Sequence, residues 1–387
     1  MKNTTSLTVG LKHNSYKIHI GYGVLSRLQK IVKPLNLGNF AVIVTSDTVY
    51  GLYLNKIMQW FKFLDGYKII RTCDGEKAKS KKWLFKIINE VLSVDCLKRR
   101  AFIVCLGGGT IGDMGGFAAS IYKRGIPFIQ VPTTLLAQID ASIGGKTAID
   151  LPQAKNIIGT FYQPKTVLID PHFLKTLDEK EIKEGFAEAI KYGAIMDEKF
   201  FYFLKKNIKH IARLEPRYIN KLIYTCAKHK ADIVSKDERE RYGLRTILNY
   251  GHTLAHAIEA VTCYKKISHG EAVSVGMVYA AQLSRYLGKC SVSHVKEISS
   301  IIKDYGLPVS FYDLKRIYSK TFSKKAGQNK NNLLHFSALC NTMSYDKKFI
   351  SGKIRMVILR KIGKVNVIDA IPVKSVQKTL KFFATSH

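Results

Sequence analysis

Acidic residues are scarce in this chain. Against 62 Lys and Arg there are 29 Asp and Glu among 387 residues, a formal net charge of +33. Such an excess admits three partner classes: nucleic acid, an anionic membrane or an anionic small molecule. Other absences narrow them. There is no long basic tail, no arginine-rich block and no nucleic-acid-binding module. The lysines are spread along the chain, many at expected helix surfaces such as Lys77, Lys79, Lys81, Lys82 and Lys86. Specific nucleic-acid binding is therefore not expected. No run of eighteen apolar residues occurs, so neither a transmembrane helix nor a membrane partner is expected. Met1 to Ser6 lack the apolar core of a signal peptide. The cysteines (Cys73, Cys96, Cys105, Cys226, Cys263, Cys290 and Cys340) include no C-x-x-C pair, and several lie in apolar runs. This pattern predicts reduced thiols in a cytoplasmic protein rather than a disulfide framework. Internal repeats and low-complexity segments are also missing.

What is present is an ordinary globular composition, 46% hydrophobic and 24% charged, in a chain long enough for two domains. The first half alternates strand-like and helix-like runs. Residues 41–45, 67–71, 102–106, 127–131 and 166–170 read as strands. Asp47 to Phe63, capped by Ser46 or Asp47, and Lys79 to Val94 read as helices. Strands separated by helices imply a parallel sheet covered on both faces. From Asp178 helical spacing takes over, to about residue 305, where Leu307-Pro308 breaks it. A loop is expected over 327–332, and a short hairpin over 353–359 and 364–368. The predicted architecture is an α/β domain with a parallel, Rossmann-like sheet over residues 1–177, then a mainly α-helical domain over 178–387. The active site is expected in the cleft between them.

Three motifs carry chemistry. The apolar run Ala101 to Leu106 ends in Gly107-Gly108-Gly109-Thr110-Ile111-Gly112-Asp113 and is followed by helical spacing. Strand, glycine turn and helix let backbone N–H groups approach a pyrophosphate at a helix N-terminus. Gly107, Gly109 and Gly112 satisfy G-x-G-x-x-G. No acidic residue ends a strand about twenty residues later, so a non-standard nucleotide loop is expected. Further on, Gly144-Gly145-Lys146-Thr147 matches half of a P-loop, but Asp140 stands where that motif needs its first glycine. Lys146 remains a candidate anion contact, and Lys155-Asn156 adds a cation and an amide. The third motif is a histidine cluster, His252, His256 and His269, within eighteen residues. His252 and His256 are four apart, on one helix face, and His269 follows the expected helix end. Neutral imidazole is the commonest protein ligand for zinc-like ions, so a metal site is expected here.

Taken together, Asp74-Gly75-Glu76, Gly107 to Asp113, Tyr122 to Gly125, Pro132 to Thr147, Lys155 to Gly159, Gly185 to Gly193, Leu248 to Glu259, His269 to Ala272 and Asp346-Lys347-Lys348 resemble the 3-dehydroquinate synthase family, in order and over most of the chain. The resemblance implies Glu188, His252 and His269 as ligands of zinc, with cobalt the alternative ion, and His256 beside the metal. It implies NAD contacts from Asp74, Glu76, Lys79, Gly109, Thr110, Ile111, Gly112, Asp113, Thr133, Thr134, Lys146, Lys155, Phe173, Leu174, Lys175 and Thr176. Asp140, Lys230 and His256 would surround the substrate hydroxyls. Lys146, Asn156, Arg245, Asn249 and one of Lys347 and Lys348 would meet its phosphate and carboxylate. Arg124 would reach a partner subunit's site, so a homodimer is implied. The family reaction turns a seven-carbon keto-acid phosphate into 3-dehydroquinate by transient NAD-dependent oxidation, phosphate loss, re-reduction, ring opening and aldol closure. The alternatives are another sugar-phosphate cyclase or a metal-dependent polyol dehydrogenase. The dense set of anion contacts argues against the dehydrogenase.

Overall fold

The computed structural model describes residues 4–151, 154–262, 267–322, 336–344, 349–350 and 353–385. The expected loop over 327–332, together with Asp346, Lys347 and Lys348, lies outside the described residues. Nine strands occupy the first part of the chain: β1 (Thr5–Val9), β2 (Tyr16–Ile20), β3 (Phe40–Ser46), β4 (Gly66–Thr72), β5 (Ala101–Gly107), β6 (Phe128–Pro132), β7 (Lys146–Leu151), β8 (Ala154–Phe161) and β9 (Thr166–Ile169). Seven form one sheet in the order β1-β2-β9-β6-β5-β3-β4. All its neighbours are parallel except β1 and β2.

The central strand explains why this sheet needs helices on both faces. Every residue of β5 is buried. Phe102, Val104 and Leu106 pack on one side with Tyr53, Ile57 and Phe61 of helix Asp47–Phe61. Ile103 and Cys105 pack on the other with Leu84, Ile87 and Val91 of helix Lys81–Leu92 and Met114 and Phe117 of helix Gly109–Ile121. A strand buried on both faces reads as a continuous apolar run, as this one does. Helix Gly109–Ile121 approaches so closely that a Cβ on Gly115 would lie 2.5 Å from Cys105 Sγ. Ser46 caps helix Asp47–Phe61, its side chain accepting from the Val49 N–H.

The five strands expected from sequence are present. Among the first-unit strands, β1, β2, β7 and β8 were not expected. β1 and β2 are short, and four of their ten residues are exposed. The antiparallel β7/β8 hairpin hides in a motif read as an anion loop, because β8 is largely exposed and carries no apolar alternation.

The chain forms two compact units. Residues 1–182 and 214–241 make the first, 183–213 and 242–387 the second. The change of unit falls five residues beyond 177, and helix Pro216–Lys236 belongs to the first unit, where it packs on β1 and Ser235 Oγ accepts from the Gly10 N–H at 3.0 Å. In the second unit, helices His252–Val261 and His269–Tyr286 pack together, and β10 (Phe349–Ile350), β11 (Lys353–Lys361) and β12 (Lys364–Pro372) form an antiparallel sheet containing the expected hairpin. Among the described residues no helix is long and apolar enough to cross a membrane, and none of the described cysteines forms a disulfide.

Candidate functional site

In the first unit the glycine turn between β5 and helix Gly109–Ile121 faces a network of opposite charges. Lys79, only 4% exposed, places Nζ 2.9 Å from Asp113 Oδ2, 3.8 Å from Glu76 Oε1 and 4.0 Å from Asp150 Oδ1, and also donates to Asn156 Oδ1. Lys155 Nζ lies 3.5 Å from Glu76 Oε1, and Thr110 Oγ1 donates to Glu76 Oε2 at 3.1 Å. Burial alone disfavours the charged lysine, but Asp113, Glu76 and Asp150 together raise Lys79 above its ordinary value. Burial also pushes Asp113 up to about 6, against the pull of Lys79. Glu76 is held below the usual carboxylate range because Lys79 and Lys155 outweigh its burial. Thus six of the sequence-predicted contacts (Glu76, Lys79, Thr110, Asp113, Lys155 and Asn156) meet in one cluster.

The remaining first-unit candidates make contacts of their own. Asp74 accepts from the Thr48 N–H at 3.3 Å and its hydroxyl at 2.9 Å. The Thr133 N–H donates to Gly107 O at 3.0 Å, and Thr134 Oγ1 accepts from the Ala137 N–H at 3.2 Å. Gly109, Ile111 and Gly112 form the first turn of their helix. Phe173 and Leu174 are buried in the 3₁₀ turn Pro171–Thr176, Lys175 is exposed, and Thr176 shares a hydrogen bond with the Tyr53 hydroxyl at 2.7 Å. Asp140 lies on a π-helical turn, Ala137–Ala141, a form common at functional sites. Lys230 Nζ reaches its Oδ1 at 2.8 Å. Lys146 pairs with Glu240, which has a left-handed backbone, φ 56. Lys123 and Arg124 are consecutive left-handed residues, φ 47 and 63, with Arg124 exposed to solvent.

The second unit assembles a metal-binding geometry. Glu188 lies on helix Glu179–Met196, His252 opens one helix and His269 opens the next. One ligand atom from each lies within 4.8 Å of the others. Glu188 Oε1 is 3.5 Å from His252 Nε2 and 3.6 Å from His269 Nε2. Glu188 is 1% exposed, and neither carboxylate oxygen accepts a hydrogen bond of ordinary geometry; Lys191 and the two imidazoles face it instead. The far nitrogens are fixed by other groups. His252 Nδ1 contacts Tyr250 O at 3.1 Å, and His269 Nδ1 contacts Glu259 Oε1 at 3.2 Å. With Nδ1 donating in each ring, both Nε2 lone pairs point at one place, as outer groups arrange them around protein-bound metals. Two imidazoles and a carboxylate, with coordination positions left over, are a donor set that fits zinc or a similar ion, which would bind His269 by displacing its proton. Burial, and then the Lys191 charge, pushes His252 well below its ordinary value. His269 moves the other way, up to about 10, since Glu188 and Glu259 overcome its burial.

Helix spacing alone favoured His252 with His256. The structure instead brings together Glu188, His252 and His269, the three residues implied by the family resemblance. His256 is exposed, beside the cluster, its ring centroid 5.6 Å from that of His252. Arg245 is buried, and Asn249 is half-buried at the end of the 3₁₀ turn Leu244–Asn249 that leads into Gly251 and His252. Sequence reasoning assigned no role to Lys191, Glu259 or Asp150. The i,i+3 spacing of Lys191 from Glu188 was legible, as was the seven-residue spacing of Glu259 from His252 on one helix face. The placement of Asp150 was not.

Fold and site together define a class: an α/β unit with a glycine-turn nucleotide geometry, and a helical unit with a three-residue metal geometry. The fold is shared with a solved 2-deoxy-scyllo-inosose synthase complexed with carbaglucose-6-phosphate, NAD+ and Co2+ (TM-score 0.83, 22% identity, covering 98% of this chain and 100% of that one). It is shared also with 2-epi-5-epi-valiolone synthase from Streptomyces hygroscopicus, solved with NAD+ and Zn2+ (TM-score 0.79, 24% identity, 97% and 98%). Models of the 3-dehydroquinate synthase N-terminal and C-terminal regions match residues 69–184 and 185–349. The 3-dehydroquinate synthase of Thermodesulfovibrio yellowstonii is 41% identical over 97% of this chain and 99% of its own length, and that of Nitrosococcus oceani is 40% identical over 97% and 98%. The chain belongs to the 3-dehydroquinate synthase family.

Proposed function

We propose that this enzyme converts 3-deoxy-D-arabino-heptulosonate 7-phosphate to 3-dehydroquinate and phosphate, using NAD and a zinc-like metal, with cobalt as the alternative. The observation that carries the reading is the near full-length match to curated 3-dehydroquinate synthases, 41% identical over 376 residues. The convergence of Glu188, His252 and His269 supports the metal. When bound, the metal supplies Lewis acidity toward substrate hydroxyls, and the nicotinamide supplies a reversible hydride store.

The chain's own residues do the rest. Asp140 and Lys230, 2.8 Å apart, form a pair able to accept and return a hydroxyl proton between Oδ1 and Nζ, and the exposed His256 imidazole offers a second proton site. Lys146, Asn156, Arg245 and Asn249, with Lys347 or Lys348, bind the phosphate and carboxylate, which need charge-assisted donors. The Lys79 cluster, the glycine turn, Asp74, Thr133, Thr134, Lys146 and Phe173 to Thr176 form the NAD site. We assign the NAD role to the first unit and the metal role to the second. Arg124 sits on an exposed, left-handed turn from which it serves a second copy in a homodimer. The free cysteines fit a cytoplasmic enzyme.

The test is phosphate release from the heptulosonate phosphate, with NAD present or withheld, and with chelator before and after zinc. Release that requires both, without net NADH, is the expected result. Failure of folded, metal-loaded protein to release phosphate moves the assignment to another sugar-phosphate cyclase substrate. Accumulating NADH with a polyol makes the chain a dehydrogenase.

A further inference from the structure

Asn156 is a residue under two constraints at once. Its backbone is left-handed, φ 54, a region that asparagine enters more readily than most residues but that still needs a local hydrogen bond to be fixed. Among the described residues its side chain is engaged on one edge: Lys79 Nζ meets Oδ1. An ammonium has donors and no acceptor, so the amide edge that faces it must be the oxygen. The Nδ2 donors then point away from the lysine, and Asn156 is exposed to solvent. One side chain hydrogen-bonds the backbone at this left-handed position.

That group is Asp150. Its Oδ1 accepts from the Asn156 N–H at 2.7 Å and lies 4.0 Å from Lys79 Nζ, and its own N–H donates to Lys79 O at 2.9 Å. One residue thus grips both members of the pair, the backbone of Asn156 and the backbone and charge of Lys79. It occupies the register shift between Ile149 and Leu151 in the β7/β8 hairpin, where the ladder is interrupted and a side chain is free to turn inward. We infer that Asp150 is a positioning residue that locks Asn156 in its left-handed conformation, so that Lys79 consumes the amide oxygen and the amide nitrogen is presented as a donor to the anionic substrate. The inference rests on the reading of Asn156 as an anion contact. Asp150 itself touches no reacting atom.

The test uses Asp150→Ala and Asp150→Asn in the full chain loaded with zinc and NAD. Asn keeps an oxygen for the Asn156 N–H and removes the charge, whereas Ala removes both. Hydrogen exchange at residues 154–161 reads the grip directly. In Asp150→Ala the Asn156 amide is expected to exchange at least about tenfold faster, and in Asp150→Asn to stay near the native rate. In the phosphate-release assay, the KM for the heptulosonate phosphate is expected to rise about tenfold in Asp150→Ala, with kcat falling much less and the melting temperature nearly unchanged, and Asp150→Asn is expected to restore most of the loss. Unchanged exchange in Asp150→Ala overturns the inference. So does an unchanged KM in an active enzyme, or a loss that tracks melting temperature and that Asn does not rescue. If the native chain releases no phosphate at all, the proposed function falls, while the exchange experiment still decides whether Asp150 holds Asn156.

Discussion

His269 meets Glu259 through Nδ1, 3.2 Å from Oε1, while its Nε2 faces Glu188 at 3.6 Å. Glu259, only 7% exposed, fixes the ring orientation and leaves the other nitrogen for a metal.

Removing that support is expected to weaken metal binding before it damages the fold. Glu259→Ala should lower zinc affinity by about 10–100-fold, measured by competition with a chromogenic chelator. Glu259→Gln, which keeps an acceptor oxygen, should lose less. Native affinity in Glu259→Ala would take Glu259 out of the site.

The Asp140–Lys230 pair leads to a kinetic expectation. Lys230→Met should fold and bind NAD, yet lose about 10²–10⁴ in kcat for phosphate release if the pair moves protons in the reaction. A kcat within twofold of native would reduce the pair to a packing element.

Two glycines set up a contrast in stability. A Cβ on Gly276 would lie 2.0 Å from the carbonyl oxygen of Gly251, the residue before His252, whereas a Cβ on Gly51 meets nothing within 4 Å. Gly276→Ala should destabilise by about 1–3 kcal/mol or more in urea unfolding and also weaken zinc binding, because the strain falls on the turn that carries His252. Gly51→Ala lies in helix Asp47–Phe61 and should be neutral or stabilising, by up to about 1 kcal/mol. Equal effects of the two changes would contradict the close approach.

Asp113 contributes a pH dependence of definite sign. Burial raises its folded pKa from 3.8 to about 6, so the folded state binds this proton more tightly than the unfolded chain. The resulting stabilisation is fully present below about pH 4 and is lost as pH rises through 6. The ceiling is about 3 kcal/mol, reduced by the 23% exposure of the side chain. In urea titrations, Asp113→Asn should therefore gain on the native chain between about pH 4 and pH 6 and level off above that. A constant difference across that range would show that the carboxyl titrates normally.

What the sequence determined by itself is what local periodicity and turn chemistry encode. β5 is apolar over its whole length because both its faces are covered, and that run announced a parallel sheet before any tertiary contact was known. The glycines after it marked the turn, and the i,i+4 histidines marked a helix face with ligand potential. The resemblance then supplied Glu188, and it preferred His269 to His256 as a ligand, where spacing alone favoured His256. Tertiary structure decided which groups converge. His256 has the right helical spacing yet lies outside the Glu188, His252 and His269 cluster, while the close approach of Gly251 and Gly276 helps set the turn that brings His252 toward Glu188. Glu259 and Asp150 look like ordinary acidic residues in the sequence. One became the partner of an imidazole and the other the grip on a left-handed asparagine only when distant segments packed together. Periodicity is a property of neighbours along the chain, whereas a site is made of neighbours in space.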